Sequence, residues 1–148
     1  RKMLLTIIIF LVILGVLIFV HELGHFLVAK KAGIKVEEFG FGYPPRIWGI
    51  KKGETIYSIN WIPIGGFVKL LGEDGEVKNN PKSFSSKKAS VRVLVLTAGV
   101  LMNFLLASIL LSVGFIIGIP TAISDGEDLP NSRDQKVQIV SVAPGSPA

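Results

Sequence analysis

The segment LIFVHELGHFLVAK, Leu17–Lys30, decides how the rest of the chain is read. It sets two histidines and a glutamate at the end of a strongly apolar run. His21 and His25 are four residues apart, so on a helix they share one face, with Cβ atoms about 5–6 Å from each other. That spacing suits two imidazoles closing on one zinc ion at about 2.0–2.1 Å per bond. Glu22 lies about 100° round the helix. It is poorly placed as a further ligand on that face and well placed to take a proton from a water on the metal. This is the HExxH pattern. Five residues with three fixed carry little weight alone, but the context sharpens them. A charged side chain at the centre of a transmembrane helix costs about 2.5–3.5 kcal/mol on insertion scales, so ionisable groups there mark function. The bland alternative ends the apolar helix at Val20 and leaves HELGH at the interface. Against it, FLVA follows directly, and the next basic anchors are Lys30 and Lys31. At a rise of about 1.5 Å per residue, His25 lies about 8 Å from Lys30 along the axis.

Around this segment the composition is that of a membrane protein: 49% of the 148 residues are hydrophobic. Met3–Val20 runs 18 residues without a charge, and Val93–Ile119 runs 27. About 20 apolar residues are needed to cross a hydrocarbon core of about 30 Å. The first run qualifies if its helix continues through HELGH. A signal peptide is a poor description of it, because no small-residue cleavage site follows. The chain has no cysteine, which excludes disulfides and thiolate-bound zinc.

Charge sets the orientation. Lys30–Arg92 carries twelve Lys/Arg against six Asp/Glu, a net +6, whereas only two bases and four acids follow Ile119. The bias puts residues 33–90 on the cytoplasmic side and the tail outside. A loop facing water or headgroups accounts for the basic surplus without nucleic acid.

Five parts follow from these patterns. Residues 1–32 form a first transmembrane helix carrying HExxH and stopping near KKAG, at Gly33. Residues 33–90 form a Gly/Pro-punctuated β region, in which RIWGI and ETIYSINWI read as a hairpin around KKG, and IPIGGFVKLL as a further strand. Its Trp, Tyr, Phe and Ile suit either a small surface sheet or a β element dipping against the membrane, shielded by protein. Residues 91–119 form a second transmembrane helix, with Ser85, Ser86 and Ser90 as candidate caps and Pro120 as its stop. Residues 120–136 are a polar linker, and VQIVSV in 137–148 starts a strand. Asn103 is the polar exception on the second helix. It reads as interhelical glue, with Ala98 and Gly99 allowing close approach, or as a group facing the histidines and holding substrate. Ser108 and Ser112 read as back-bonded or packed.

Together these stretches resemble the site-2 protease family of intramembrane zinc metalloproteases, of the bacterial regulator of sigma-E type with PDZ domains. VHELGHFLVAKKAGIKVEEFGFGYPPRIW resembles the family's first helix and its Gly-Phe-Gly loop. IPIGGFVKLLGE resembles the membrane-associated β-hairpin region. FSSKKASVRVLVLTAGVLMNFLLA resembles the second helix, and VQIVSVAPGSPA the opening of a PDZ domain. The resemblance implies a mainly α membrane protein: two transmembrane helices, an intervening membrane-associated β-hairpin region, then the start of a PDZ domain. It implies Zn²⁺ held by His21 and His25, Glu22 as general base, and substrate contacts from Gly40, Phe41, Gly42 and Asn103. The implied reaction is peptide hydrolysis in or beside transmembrane segments of single-pass proteins or signal peptides, in a bacterial inner membrane.

Two departures from the family pattern stand out. Val100 occupies the place of a proline. The family's third zinc ligand, an Asp in an LDG-like motif on a later transmembrane helix, has no counterpart, since Asp74, Asp125, Asp128 and Asp134 all lie outside apolar segments. A catalytic zinc needs three protein ligands and an open position. The expectation is therefore an N-terminal part of a longer protein, its third ligand beyond Ala148, inactive alone. Two competing readings differ at that point. A non-catalytic membrane adaptor, binding peptides through hairpin and PDZ domain, would lack the downstream Asp. A membrane zincin with a cytosolic active site would instead carry a Glu or His on a soluble helix.

Overall fold

The first helix, α1, ends where the backbone demands it. In this computed structural model, which describes residues 1–77 and 79–118, α1 spans Lys2–Lys31, 30 residues, or about 45 Å. Gly33 then takes φ +67°, a left-handed conformation that glycine adopts without penalty. The Gly33 amide donates to Lys30 O at 3.1 Å, and the Ile34 amide to Ala29 O at 2.9 Å. That is a Schellman closure, and Ile34 and Ala29 pack together in the buried cluster, as such closures favour.

Two long strands follow, β1 (Val36–Lys52) and β2 (Thr55–Leu70), and then a second long helix, α2 (Ala89–Ile117). The expected pair of long apolar helices flanking an antiparallel hairpin is present. The strands turn back around Gly53, where Lys52 faces Thr55. Both bend along their length, so each contributes two limbs. Residues 46–52 pair antiparallel with 55–60. Residues 36–41 pair antiparallel with 66–70, Val36 facing Leu70 and Phe41 facing Gly66. The inner limbs lie side by side, with partners rising in step from Glu38–Ile56 to Phe41–Ile59. Buried side chains clip them together: Thr55 Oγ1 donates to Val36 O at 2.8 Å, and Asn60 Nδ2 to Gly42 O at 3.0 Å. The Gly-Phe-Gly segment, expected as a loop, is thus an inner strand. Gly40 fits because a Cβ there would strike the Phe67 ring, and Gly42 because it takes φ +82° against the Ile62 carbonyl.

α2 opens two residues before Val91, and the serines do not cap it. Arg92 N–H donates to Lys88 O at 3.1 Å, while Ser85 Oγ bonds Val77 O and Ser86 Oγ bonds Ser83 O, holding the preceding loop instead. Ser108 and Ser112 bond back to Phe104 O and Ser108 O one turn earlier, as back-bonding predicts. The buried core lies at one end of the helix pair, where Ala29, Ile34, Val36, Leu70, Phe84 and Val95 meet. Farther along both helices the apolar side chains are bare, up to 85% exposed at Ile116. The sheet follows α1 into that bare region. Phe41, Pro63 and Ile64 share a cavity of about 620 Å³ with α1 residues from Ile8 to Phe19, and Ile8 precedes His21 by about 20 Å along the axis. The linker 120–136 and the strand start in 137–148 lie outside the described residues.

Candidate metal centre

α1 carries His21, Glu22 and His25 on the turns just before its buried end, all half-buried. The two imidazoles meet through their outer nitrogens, His21 Nε2 lying 3.2 Å from His25 Nε2. The other nitrogen of His25 is taken: Nδ1 lies 2.7 Å from the carbonyl of Val95 on α2. A carbonyl only accepts, so Nδ1 carries the proton, and in the neutral ring it is Nε2 that presents a lone pair. A backbone carbonyl fixing the tautomer and ring angle is the usual support for a metal-binding histidine. Two bonds of about 2.0–2.1 Å at a tetrahedral centre set their donor atoms about 3.3–3.4 Å apart. The pair therefore fits a tetrahedral divalent ion. Among the described residues, no group of three or more His, Asp or Glu side chains comes together to complete such a site.

α2 packs against this face through small residues. A Cβ on Gly24 would stand 2.5 Å from the Ala98 carbonyl oxygen, and one on Gly99 would stand 2.5 Å from His25 Nε2 and 2.6 Å from His21 Nε2. Val95 faces His25, and Gly99 one turn later faces both rings, so the two helices run antiparallel here. Asn103 follows Gly99 by a further turn on the same face of α2. Its Oδ1 is buried and has no hydrogen-bond partner among the described residues.

The sheet closes the other side. A Cβ on Gly66 would lie 3.1 Å from Glu22 Cγ, 3.2 Å from the Gly40 carbonyl and 3.4 Å from Ile18 Cγ2. The limb 66–70 is thereby pressed against the carboxylate-bearing turn. Gly40 and Phe41 have strand partners on both sides, Phe67 and Ser58 for the first, Gly66 and Ile59 for the second. Their backbone offers no free edge to a peptide, whereas limb 66–70 has a strand on one side only among the described residues. The Phe41 side chain lines the apolar cavity beside α1, and Gly15 lies 3.6 Å from its ring by the same Cβ construction. Sequence reasoning missed Val95 and Gly66. Val95 acts through its carbonyl, which every residue type carries, and nothing in the side-chain pattern marks it.

The family model described as peptidase family M50 matches residues 9–143. A protein of Clostridium acetobutylicum, classed by name among the zinc metalloproteases, is 44% identical over 137 residues, covering 90% of this chain and 39% of that one. The regulator of sigma-E protease RseP of Salmonella typhimurium is 39% identical over 142 residues, covering 93% of this chain and 31% of RseP. The regulator of sigma-W protease RasP of Bacillus subtilis is 51% identical over 72 residues, covering 49% of this chain and 17% of RasP. The chain spans from 26% to 39% of the length of the first four relatives it matches. With two helices long and apolar enough to cross a membrane, it is an integral membrane protein, and it belongs to peptidase family M50, the site-2 protease family of zinc metalloproteases.

Proposed function

We propose that this chain supplies the HExxH half of an intramembrane zinc endopeptidase. The observation that carries the reading is the pair of Nε2 atoms 3.2 Å apart inside an apolar helix, one ring pinned through Nδ1 to a backbone carbonyl. His21 and His25 would hold zinc, and the third ligand would be an Asp carboxylate from outside the described residues. When bound, zinc supplies Lewis-acid polarisation of a carbonyl and lowers the pKa of a water toward about 7.

The remaining chemistry belongs to the chain. Glu22, held against the sheet at Gly66, takes a proton from the attacking water and returns it to the leaving amine nitrogen. A substrate helix hides its carbonyls in its own hydrogen bonds and must unwind before cleavage. Limb 66–70 offers replacement backbone bonds by strand addition. The Phe41 ring packs on the apolar side chains of the substrate, and Gly40 and Gly42 hold Phe41 in place by admitting the neighbouring limbs. Asn103, whose Oδ1 has no partner among the described residues, orients the substrate backbone. The substrates are transmembrane segments of single-pass proteins or remnant signal peptides. The setting is a bacterial inner membrane, with 33–90 cytoplasmic and the tail periplasmic, as the Lys/Arg asymmetry supports.

The test is cleavage of a single-pass membrane substrate by the full-length protein in nanodiscs. Glu22→Gln and His25→Ala are each expected to lower the rate by at least ~10³-fold, the scale on which machinery acting as a unit fails. Cleavage unchanged by both substitutions would overturn the reading.

A further inference from the structure

This inference rests on the metal reading of His21 and His25 and concerns what α2 does for it. We propose that Gly99 is a positioning residue of the metal centre: it keeps the space at the two imidazole nitrogens free, which any side chain would take. The three atoms nearest to a Cβ built on Gly99 are His25 Nε2 at 2.5 Å, His21 Nε2 at 2.6 Å and His21 Cε1 at 2.7 Å. Ordinary carbon contacts need about 3.5–4.0 Å, so a methyl group there must push at least one ring away. His25 cannot swing freely, because Val95 O holds its Nδ1 at 2.7 Å. The ring that moves takes its nitrogen out of the 3.2 Å pairing on which a shared ion depends.

The other tight glycine of the helix pair has a different task. At Gly24 a Cβ would meet the Ala98 carbonyl oxygen and carbon, at 2.5 and 2.9 Å, and the Met102 side chain. Gly24 therefore sets how closely the helix backbones approach. Gly99 has no backbone among its three nearest neighbours. Val95 and Gly99 are one turn apart, so α2 serves the histidines twice through its main chain alone: one carbonyl fixes a tautomer, and one missing side chain leaves room. Val100 beside it is 63% exposed and supplies a control position.

The experiment uses the full-length protein in detergent, with zinc affinity and melting temperature as readouts independent of activity. Gly99→Ala is expected to weaken zinc binding by at least 10–100-fold, the range seen when support around metal ligands is lost. Val100→Ala should bind zinc as the parent does. The discriminating step is a double-mutant cycle. Gly99→Ala should lower the melting temperature when both histidines are present and leave it unchanged in a His21→Ala/His25→Ala background, where no ring is left to strike. Parental zinc affinity in Gly99→Ala, or equal destabilisation or failure to fold in both backgrounds, would make Gly99 a plain helix-packing residue and overturn the proposal. A Gly99→Ala protein that folds only in the histidine-free background would support it. If His21→Ala and His25→Ala themselves leave zinc binding intact, the metal reading fails first and takes this inference with it.

Discussion

The two ends of the helix pair are built to different rules. At the end holding Ala29, Val36, Leu70, Phe84 and Val95, apolar side chains face one another and polar groups are paired, as in a water-soluble domain. At the other end the side chains are more apolar still and face outward: Met3 is 79% exposed and Ile117 likewise. In water that second pattern would be an aggregation surface far larger than a monomer carries. In lipid it is the expected outer face of a spanning helix. The candidate metal centre lies where the two regimes meet. There the helices touch through Gly24, Val95 and Gly99, and the sheet comes against Glu22. Reactive polar groups need a rigid, satisfied frame on one side and lipid access on the other, and the boundary supplies both.

Substitutions can break this contrast. The largest effect is expected in the packed end. Phe84→Ala should cost about 3–5 kcal/mol, read as a shifted denaturant midpoint in micelles, because Phe84 is buried among Val36, Leu70 and Val95. A value under about 1 kcal/mol would mean that this core does not hold the fold. In the bare end, Ile109→Lys should lower membrane insertion by about 2.5–3.5 kcal/mol, measured by a glycosylation-site insertion assay. A soluble protein would accept that lysine at a half-exposed site without loss. A smaller effect sharpens the packed side. Thr55→Val removes a buried hydrogen bond to Val36 O and should cost about 0.5–1.5 kcal/mol.

The smallest effect lies on the water-facing rim. The Lys82 ammonium, 2.7 Å from Glu54, holds that carboxyl below its usual pKa. A lowered carboxylate pKa means that the pair's contribution is fully present above the ordinary carboxylate range. It fades as pH falls through the lowered value. Lys82→Ala should return the Glu54 titration, followed by NMR, toward ordinary values with little change in melting, since the pair is exposed. A titration unmoved by the substitution would show that the pair does not form.

How much of this was legible in the sequence divides along the same boundary. Both helices could be read from runs without charge, since lipid leaves the chain few other choices. The HELGH triad could be read because polar groups in such a run need a reason. The hairpin around Gly53 could be read from alternation and turn residues. The inner strand 36–41 could not, because Gly40 and Gly42 are poor strand formers by propensity. They are there because Phe67 and the Ile62 carbonyl crowd them, a fact of packing that no local pattern carries. The carbonyl of Val95 was equally invisible. The polar oddity of Asn103 was visible, and the structure adds that its oxygen is buried without a partner among the described residues.

The length of α1 has one further consequence. A helix of 30 residues is about 45 Å long, whereas a typical hydrocarbon core is about 30 Å thick. The helix must lean, overhang, or thicken the bilayer around it. Under the proposed function, acyl-chain length would become a control on chemistry: as the bilayer thickens, the turn carrying His21 and His25 would sit deeper and farther from water, with no change in any residue.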